Sequence, residues 1–283
     1  MADIRSRGFD HIRLLWLWEQ LEPRKGKIDP VYLSLLDYTI GACEKNNVNV
    51  ILDCHQDMWS YPYMLRETGK KTGHGMPYWL EPKDWWNNPN ESGWYSIWRF
   101  LAKRYDSRTN VLGFDLFNEP WDFNVGGPSG PAFVWSQQRW TCIINELIKV
   151  VREVSNKTVY VQMSYWGSCK YMQNMVPVDD PIQNVVYSWH WYPEPGTNLD
   201  QELAPAIAFQ RRHMVRYWVG EFSNYEAWNQ ERYDMLARVL EKFKQYGWNS
   251  WCFWMYHQAQ SPPIDGNSFK ILKAHMENST TSG

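Results

Sequence analysis

The sequence predicts an α/β fold in which parallel strands form a TIM (β/α)8-type barrel wrapped in helices. Short apolar runs that resemble strands alternate along the chain with longer stretches of helical period, and this order is typical of a parallel sheet covered by helices. The length of 283 residues fits one such barrel. The Gly- and Pro-rich stretches are too short to be linkers, so we expect residues 1–283 to form one domain.

Seven strands are predicted from the apolar runs. They are Ile12 to Trp16, Val48 to Asp53, Val111 to Phe117, Thr158 to Met163, Val185 to Trp189, Tyr217 to Gly220 and Ser250 to Trp254. Within most of these runs, successive side chains are apolar in both directions, as expected for strands that are buried on both faces of a sheet.

Helices are predicted between the strands from the spacing of their apolar residues. The first begins after Asp29, a good N-cap residue, with Pro30 at the first helical position. Apolar residues then recur at helical spacing, and similar stripes start at Trp94, Trp140 and Tyr233. We expect each stripe to pack against the sheet.

Charge and composition favour a neutral, sugar-like ligand. Lys and Arg number 29 against 31 acidic residues, so the chain lacks the basic surface that nucleic acid or an anionic membrane would require. The 19 tryptophans and 17 tyrosines suit ligands with apolar faces and polar rims. We expect no membrane span and see no secretory signal, and the chain leaves both secretion and a cytoplasmic location open.

The cysteines and other potential metal ligands form no recognisable site. The cysteines are Cys43, Cys54, Cys142, Cys169 and Cys252. Their number is odd and their spacing is unpaired, so we expect buried free thiols. The string Asp53-Cys54-His55-Gln56-Asp57 contains ligand types, but no second cluster completes a zinc site. No nucleotide-binding glycine motif follows a strand, and we expect neither a metal ion nor another cofactor.

Two glutamates follow short apolar runs. Glu119 ends the run Gly113-Phe114-Asp115-Leu116-Phe117-Asn118, and Glu221 ends the run Tyr217-Trp218-Val219-Gly220. A strand that ends on a carboxylate points it into the cleft above a barrel. Two such groups would supply the acid and the nucleophile that glycosidic bond cleavage needs. Taken alone, Asn118-Glu119-Pro120 would fit a helix cap equally well.

The two glutamates belong to a larger polar set, whose members lie at or just beyond the carboxyl ends of predicted strands. The set is Arg13, His55, Asn118, Glu119, His190, Tyr192, Glu221 and Trp254. Active sites of barrel enzymes lie at this end. The arginine and the histidines, taken singly, are often structural, but packing does not explain a group of polar residues confined to one end of apolar strands.

This set and its order resemble glycoside hydrolase family 5, a family of retaining enzymes with (β/α)8 barrels, over nearly the whole chain. The matching positions are Arg13, His55, Asn118-Glu119, His190-Trp191-Tyr192, Glu221 and Trp254. The resemblance implies that Glu119 is the general acid/base and Glu221 the nucleophile. It also implies that Asn118 binds the 2-hydroxyl of the sugar, that Arg13 and Tyr192 bond Glu221, that His190 faces Glu119, and that His55 and Trp254 contact the sugar. The string from Asp53 to Asp57 resembles the endoglycoceramidase-like branch of the family.

One part of the family pattern is not found. Residues Ile4 to Asp10 resemble the end of the first helix leading into the second strand, so we expect the barrel to lack the first β/α unit. A missing strand leaves two sheet edges with unpaired backbone groups. We expect a seven-stranded or gapped barrel whose edges close on each other or are covered by a second copy in a homodimer; a strand numbering shifted by one unit is the remaining alternative.

The predicted function is retaining hydrolysis of a β-linked oligo- or polysaccharide, most simply by an endo-β-1,4-glucanase (cellulase). Alternatives in the same class are an exo-acting β-glucosidase or β-mannosidase, a β-mannanase and a glycolipid endoglycosidase; in another class, a non-catalytic carbohydrate-binding barrel. Retention predicts carboxyl groups about 5 Å apart. Candidate stacking platforms for the sugar are Trp59, Trp79, Trp85, Trp86, Trp121, Trp166 and Trp191.

Overall fold

Seven parallel strands form the centre of the structure. The computed structural model describes residues 1–56, 76–80, 82–120, 130–163, 165–223, 229–255 and 264–280. The strands are β1 (His11–Trp16), β2 (Asn49–Cys54), β3 (Val111–Asp115), β4 (Thr158–Gln162), β5 (Val185–Trp191), β6 (Tyr217–Phe222) and β7 (Trp251–Phe253). They pair in sequence order and curl into a nearly closed barrel. The predicted fold class and all seven predicted strands are confirmed.

Helices connect the strands. They are α1 (Ala2–Ser6), α2 (Trp18–Leu21), α3 (Pro30–Lys45), α4 (Pro82–Asn87), α5 (Trp94–Tyr105), α6 (Gly130–Arg152), α7 (Leu199–His213), α8 (Gln230–Tyr246) and α9 (Gly266–Thr280). As predicted, Asp29 caps α3, and its side chain accepts hydrogen bonds from the backbone N–H groups of Val31 and Tyr32. Within the described ranges, no helix combines the length and the apolar character needed to cross a membrane.

Helix α7 is not predicted by the apolar period of the sequence. Its buried residues are only Leu199, Leu203, Ala206 and Phe209, which gives a narrow apolar stripe. Its start is encoded locally, because the side chain of Asn198 accepts a hydrogen bond from a backbone N–H of the first turn. Basic residues fill its last turn, where they interact favourably with the helix dipole.

The interior of the barrel has an apolar layer beneath a polar one. Ile51, Tyr160, Val186 and Trp218, from four different strands, form a buried apolar cluster. Two positions further along the same strands, and therefore on the same face, lie Asp53, Gln162, Ser188 and Gly220. The polar layer thus lies above an apolar floor, at the carboxyl ends of the strands.

Several of the predicted stacking platforms pack in the core instead. Trp85 and Trp86 form a cluster with Trp94 and Trp140, in which ring centroids lie between 5.0 and 6.4 Å apart. Trp85, Trp86 and Trp191 are each no more than 1% exposed. The prediction of sugar stacking is wrong for these three. The helix that carries Trp85 and Trp86 packs back onto the barrel, and Trp191 ends β5 with its ring packed near Trp189 and Phe243.

The remaining tryptophans of that set differ in position. Trp166 is 40% exposed, and Trp79 is half-buried against the ring of Trp18. Trp59 and Trp121 lie outside the described residues. Trp166 and Trp79 therefore keep some surface that a ligand could contact.

All five cysteines are free thiols, as the sequence predicts. Cys43, Cys54 and Cys169 are buried and Cys252 is partly buried. Cys142 is exposed, so the prediction that it is buried is wrong. It lies on the solvent side of α6, while the residues on either side of it in the chain are buried.

β1 and β7 form the two edges of the sheet, and in the described part of the chain no strand pairs with their outer sides. Between them lies a cavity of about 690 Å³, whose wall includes Phe9, Ile12, Trp251 and Phe253. A gapped, seven-stranded barrel is what the family resemblance predicts at this position. Coverage of the gap by a second copy stays a prediction.

We expect Gly113→Ala to destabilise the barrel. A Cβ atom at Gly113 would lie 2.1 Å from the backbone oxygen of Thr158 and 2.9 Å from a ring carbon of Tyr160, so β3 and β4 would have to separate. Overpacking of this kind typically costs about 1–3 kcal/mol or more, which urea denaturation would register as a lower midpoint. Gly266→Ala, whose Cβ would meet nothing within 4 Å, is the control. Equal midpoints for the two variants would contradict the close approach of the strands.

Candidate active site

Arg13 lies at the centre of the polar layer. Its guanidinium donates hydrogen bonds of 2.8 Å to Asp53, Asp115 and Asn118, and another to Glu221. Arg13 is the third residue of β1, so the prediction that it ends a strand is wrong. The length of its side chain nevertheless brings the charge to the level of the strand ends. Only 3% of that side chain is exposed.

The two carboxylate oxygens of Glu221 have different donors. Arg13 donates to Oε1, and the hydroxyl of Tyr192 donates to Oε2 at 2.6 Å. Burial, together with the charge of Glu221, raises the pKa of Tyr192 well above its usual value, so this hydroxyl keeps its proton. Glu221 lies within β6, opposite His190 of β5, where the register of the two strands shifts. Such irregularities re-aim side chains next to active sites.

Glu119 follows β3 and has a raised pKa. Burial raises the pKa of its carboxyl group to about 7, with Arg13 opposing the rise and the charge of Asp53 adding to it. Its Oε1 lies 2.7 Å from Nδ1 of His190. Its backbone has a φ of 43°, which is uncommon for a residue other than glycine. A carboxyl group with a pKa near 7 can hold and release a proton at neutral pH.

His190 lies between the two glutamates. Its Nδ1 atom is 2.7 Å from Oε1 of Glu119 and 3.4 Å from Oε2 of Glu221. Burial lowers the pKa of His190 to about 3, against the opposing effect of Glu221, so the ring is neutral. One carboxyl oxygen of Glu119, one ring nitrogen of His190 and one carboxyl oxygen of Glu221 all lie within 4.8 Å of one another. An oxygen of one carboxyl group therefore lies within 4.8 Å of an oxygen of the other.

The same three residues are ligand types for a divalent cation. They are the only such group of three that the described residues bring together. However, both oxygens of Glu221 already accept hydrogen bonds, and one of the donors is the cationic Arg13. These hydrogen bonds fit two carboxyl groups that share one imidazole better than they fit the ligands of a metal ion. The expectation of a reaction without metal stays a prediction.

His55 and Trp254 form one wall of the site. Their rings stack at a centroid distance of 5.1 Å and an interplanar angle of 10°. Nδ1 of His55 lies 2.8 Å from Oδ2 of Asp53, whose other oxygen accepts from Arg13. Through Asp53, all eight residues of the sequence-predicted set belong to one network of direct contacts.

Three buried residues of this network are absent from the sequence-predicted set. Asp53 and Asp115 lie opposite each other in β2 and β3, and burial raises the pKa of each to about 7 against the opposing effect of Arg13. Gln162, the last residue of β4, donates to Asp115 at 3.0 Å. A charged residue inside an otherwise apolar strand is a signal that would have identified both aspartates. Gln162 carries no comparable signal.

The chain matches the profile of a known family over most of its length. The profile described as Cellulase (glycosyl hydrolase family 5) matches residues 1–260. The chain belongs to glycosyl hydrolase family 5. The resemblance that the sequence motifs indicate is thereby confirmed, and the barrel is that of a family 5 protein.

Its relatives include proteins named endoglucanase and endoglycoceramidase. Endoglucanase C of Acetivibrio thermocellus is 28% identical over 193 residues, which are 67% of this chain and 48% of the relative. Endoglycoceramidase I of Rhodococcus hoagii is 29% identical over 201 residues, which are 60% of this chain and 38% of the relative. The chain therefore spans about half the length of the curated relatives it matches, or less.

Solved structures share the barrel. Endo-glycoceramidase II from Rhodococcus sp. superposes with a TM-score of 0.77 at 21% identity, covering 97% of this chain and 72% of that one. Endoglucanase Cel5A from Thermotoga maritima superposes with a TM-score of 0.72 at 17% identity, covering 96% of this chain and 88% of that one. At these identities the likeness establishes the fold of this family 5 chain.

We expect Arg13→Met to lower the free energy of unfolding by about 3–5 kcal/mol, because it leaves buried carboxyl groups without their cation. Urea denaturation at pH 7 measures the loss, and adding Asp115→Asn to the same chain should recover part of it. Arg99→Met, which breaks a surface pair with Glu153, is the control and should change stability little. A loss no larger than that of the control would contradict the central position of Arg13.

Proposed function

We propose that the chain is a retaining β-glycoside hydrolase that acts on β-linked glucans, most simply as an endo-β-1,4-glucanase. The observation that carries the proposal is the short distance between Glu119 and Glu221: a carboxyl oxygen of one lies within 4.8 Å of a carboxyl oxygen of the other. Retaining glycosidases place their carboxyl groups about 5–5.5 Å apart, whereas inverting ones leave about 6.5–9.5 Å for a water molecule. The short separation supports retention.

In the first step, an oxygen of Glu221 attacks the anomeric carbon and forms a covalent glycosyl ester. The bond between that carbon and the leaving oxygen breaks, and the proton held by Glu119 passes to this oxygen. Arg13 and Tyr192 keep the attacking carboxylate in place through their bonds to its two oxygens. Glu119 ends the step as a carboxylate.

In the second step, Glu119 acts as a base. It takes a proton from a water molecule, whose oxygen attacks the anomeric carbon and displaces Glu221. Glu119 is protonated again and Glu221 is again a carboxylate. Two displacements at one carbon restore the original configuration. The raised pKa of Glu119, about 7, suits a group that must both donate and accept a proton near neutral pH.

The other members of the set would hold the sugar. Asn118 would bond the 2-hydroxyl next to the reacting carbon, and its side-chain oxygen is itself held by Arg13 at 2.8 Å. His55 and Trp254, stacked on each other, would contact the sugar on the non-reducing side of the cleaved bond. The ring faces of such a wall suit the apolar face of a pyranose.

A second candidate within the same class is a glycolipid endoglycosidase. Two observations favour it. One is the similarity to Endoglycoceramidase I of Rhodococcus hoagii, at 29% identity over 60% of this chain. The other is the string from Asp53 to Asp57, which resembles the endoglycoceramidase-like branch of the family. The described residues Asp53 and His55 of this string form the contact that orients the imidazole, while Asp57 lies outside the described residues. The two candidates share a mechanism and differ in the leaving group.

A set of assays tests the class and the mechanism. The wild type should release 2,4-dinitrophenol from an aryl β-cellobioside, and NMR of cello-oligosaccharide hydrolysis should show the β-anomer first. Glu221→Ala should lose turnover, and added azide should restore phenol release with formation of the α-glycosyl azide. Glu241→Ala, on the exposed side of α8, is the control and should retain activity. Cellulose, barley glucan, mannan and glycosphingolipids then separate the candidate substrates.

Three outcomes would overturn the proposal. An α-anomer as first product would replace retention with inversion. Unchanged turnover in Glu221→Ala would remove the nucleophile assignment. Sugar binding without turnover on any of these substrates would favour the alternative of a carbohydrate-binding barrel.

We expect kcat/KM for cello-oligosaccharides to fall as the pH rises through about 7. Glu119 must be protonated to serve as an acid, and its raised pKa of about 7 means that this form is present below that pH and lost above it. With 2,4-dinitrophenyl β-cellobioside, whose leaving group needs no proton, kcat/KM should not fall over the same range. An identical alkaline decline for the two substrates would contradict the assignment of Glu119.

A further inference from the structure

The side-chain amide of Gln162 contacts both halves of the candidate site. Its Oε1 atom accepts a hydrogen bond from the backbone N–H of Glu119 at 2.9 Å. Its Nε2 atom donates to Asp115 at 3.0 Å, and Asp115 accepts from Arg13, the donor to Glu221. One amide thus joins the backbone of the proposed acid to the side chains around the proposed nucleophile.

The backbone of Glu119 adopts a conformation that needs support. A φ of 43° is in the left-handed region, which is unfavourable for a residue with a side chain. Such conformations persist at functional sites only where the surroundings hold them. Hydrogen bonds at Glu119 and at Pro120 hold this turn. The oxygen of Gln162 accepts the N–H of Glu119, and the oxygen of Pro120 accepts the N–H groups of Tyr165 at 2.5 Å and Trp166 at 3.1 Å.

The amide of Gln162 is closely enclosed and has one fitting orientation. The residue is 1% exposed, and a Cβ atom on Gly167 would lie 2.6 Å from its Oε1. The loop after β4 therefore packs directly on the amide, and Gly167 also accepts the backbone N–H of His190 at 2.9 Å. Because a carboxylate needs a donor and an N–H needs an acceptor, Asp115 and Glu119 together fix which end of the amide faces which partner.

We propose that Gln162 is a positioning residue for the general acid, Glu119. The amide oxygen of Gln162 holds the backbone of Glu119 so that the carboxyl group of Glu119 contacts His190 and faces Glu221. This role presupposes the proposed function and adds a residue to its machinery. Gln162 acts through Glu119, so its loss should impair protonation of the leaving oxygen more than sugar binding or attack by Glu221.

The hydrogen bond from Gln162 to Asp115 offers a second way in which a substitution could lower activity. A substitution that disturbed Asp115 would act through Arg13 on Glu221, and attack by Glu221 is required for every substrate, whatever its leaving group. Loss through Glu119 depends on the leaving group, because only poor leaving groups need the proton. Comparison of two leaving groups therefore separates the two routes.

Gln162→Met removes both contacts and keeps a side chain of similar length. We expect kcat/KM to fall roughly 10- to 100-fold on cello-oligosaccharides, a part of the 10²–10⁴ that general acid catalysis supplies. On 2,4-dinitrophenyl β-cellobioside the loss should be less than about threefold. Glu119→Ala, measured beside it, should show the same selectivity with a larger loss. Equal losses of Gln162→Met on the two substrates would overturn the proposed role.

Gln137→Met is a matched control, because it makes the same change at a second buried glutamine. Gln137 lies on α6, is 2% exposed and donates to the backbone oxygen of Tyr171 at 3.4 Å, away from both glutamates. It should leave the ratio of the two kcat/KM values as in the wild type. A changed ratio in this variant would show that general loosening produces the selectivity, and would also overturn the role of Gln162.

Gln162→Glu tests the acceptor directly. It keeps an oxygen for the N–H of Glu119, so activity on cello-oligosaccharides should exceed that of Gln162→Met. The new carboxyl group must carry a proton to replace the amide as the donor to Asp115, because a carboxylate accepts hydrogen bonds and donates none. The alkaline decline in kcat/KM, which Glu119 sets, should therefore stay near that of the wild type. Activity on cello-oligosaccharides no better than that of Gln162→Met would overturn the role. This variant also decides the matter if Gln162→Met does not fold.

The assays distinguish failure of the proposed function from failure of the proposed role of Gln162. If the wild type turned over no β-glycoside, the function itself would be wrong. If the wild type were active and the Gln162 variants lost activity uniformly across leaving groups, only the positioning role would be wrong.

Discussion

The polar layer at the carboxyl ends of the strands depends on the hydrogen bonds of the Arg13 guanidinium. This guanidinium extends from β1 and bonds side chains on β2, β3 and β6 and just beyond β3. Three of its four acceptors are carboxyl groups, so the cluster has more acids than cations. Burial raises the pKa of Asp53 and of Asp115 to about 7, which favours protonated forms that reduce the excess negative charge. Removal of the cation from this cluster would leave these acids unpaired, which is costly in a protein interior.

The two roles proposed for Glu119 and Glu221 follow from the different surroundings of two residues of the same type. Glu221 lies inside a strand, and both of its oxygens face donors. Glu119 lies just beyond a strand, in a left-handed turn, and its carboxyl group faces a neutral imidazole. Burial with few donors raises the pKa of Glu119 to about 7. The strand end and the turn therefore decide the chemistry as much as the side chains do.

The sequence predicts the strands and the polar set at their ends because both follow from local pattern: apolar runs mark buried strands, and a barrel brings successive strand ends together. It does not identify Gln162, because a glutamine at the end of a strand has no distinguishing period or charge. The burial of Trp85 and Trp86 is equally invisible, since it depends on how a connecting segment folds back onto the barrel. The position of Arg13 within β1 is also not predicted, because the sequence indicates where its charge acts and not how far its side chain extends from the Cα atom.

The position of the site on the open side of the barrel has a structural consequence. β1 and β7 are the sheet edges, yet two site contacts cross the gap between them. Arg13 of β1 bonds Glu221 of β6, and Trp254, directly after β7, stacks on His55, directly after β2. No backbone ladder joins the two edges in the described residues, so these side-chain contacts join them instead. In this barrel, the residues proposed to bind and cleave the sugar also hold the two sheet edges in their relative position.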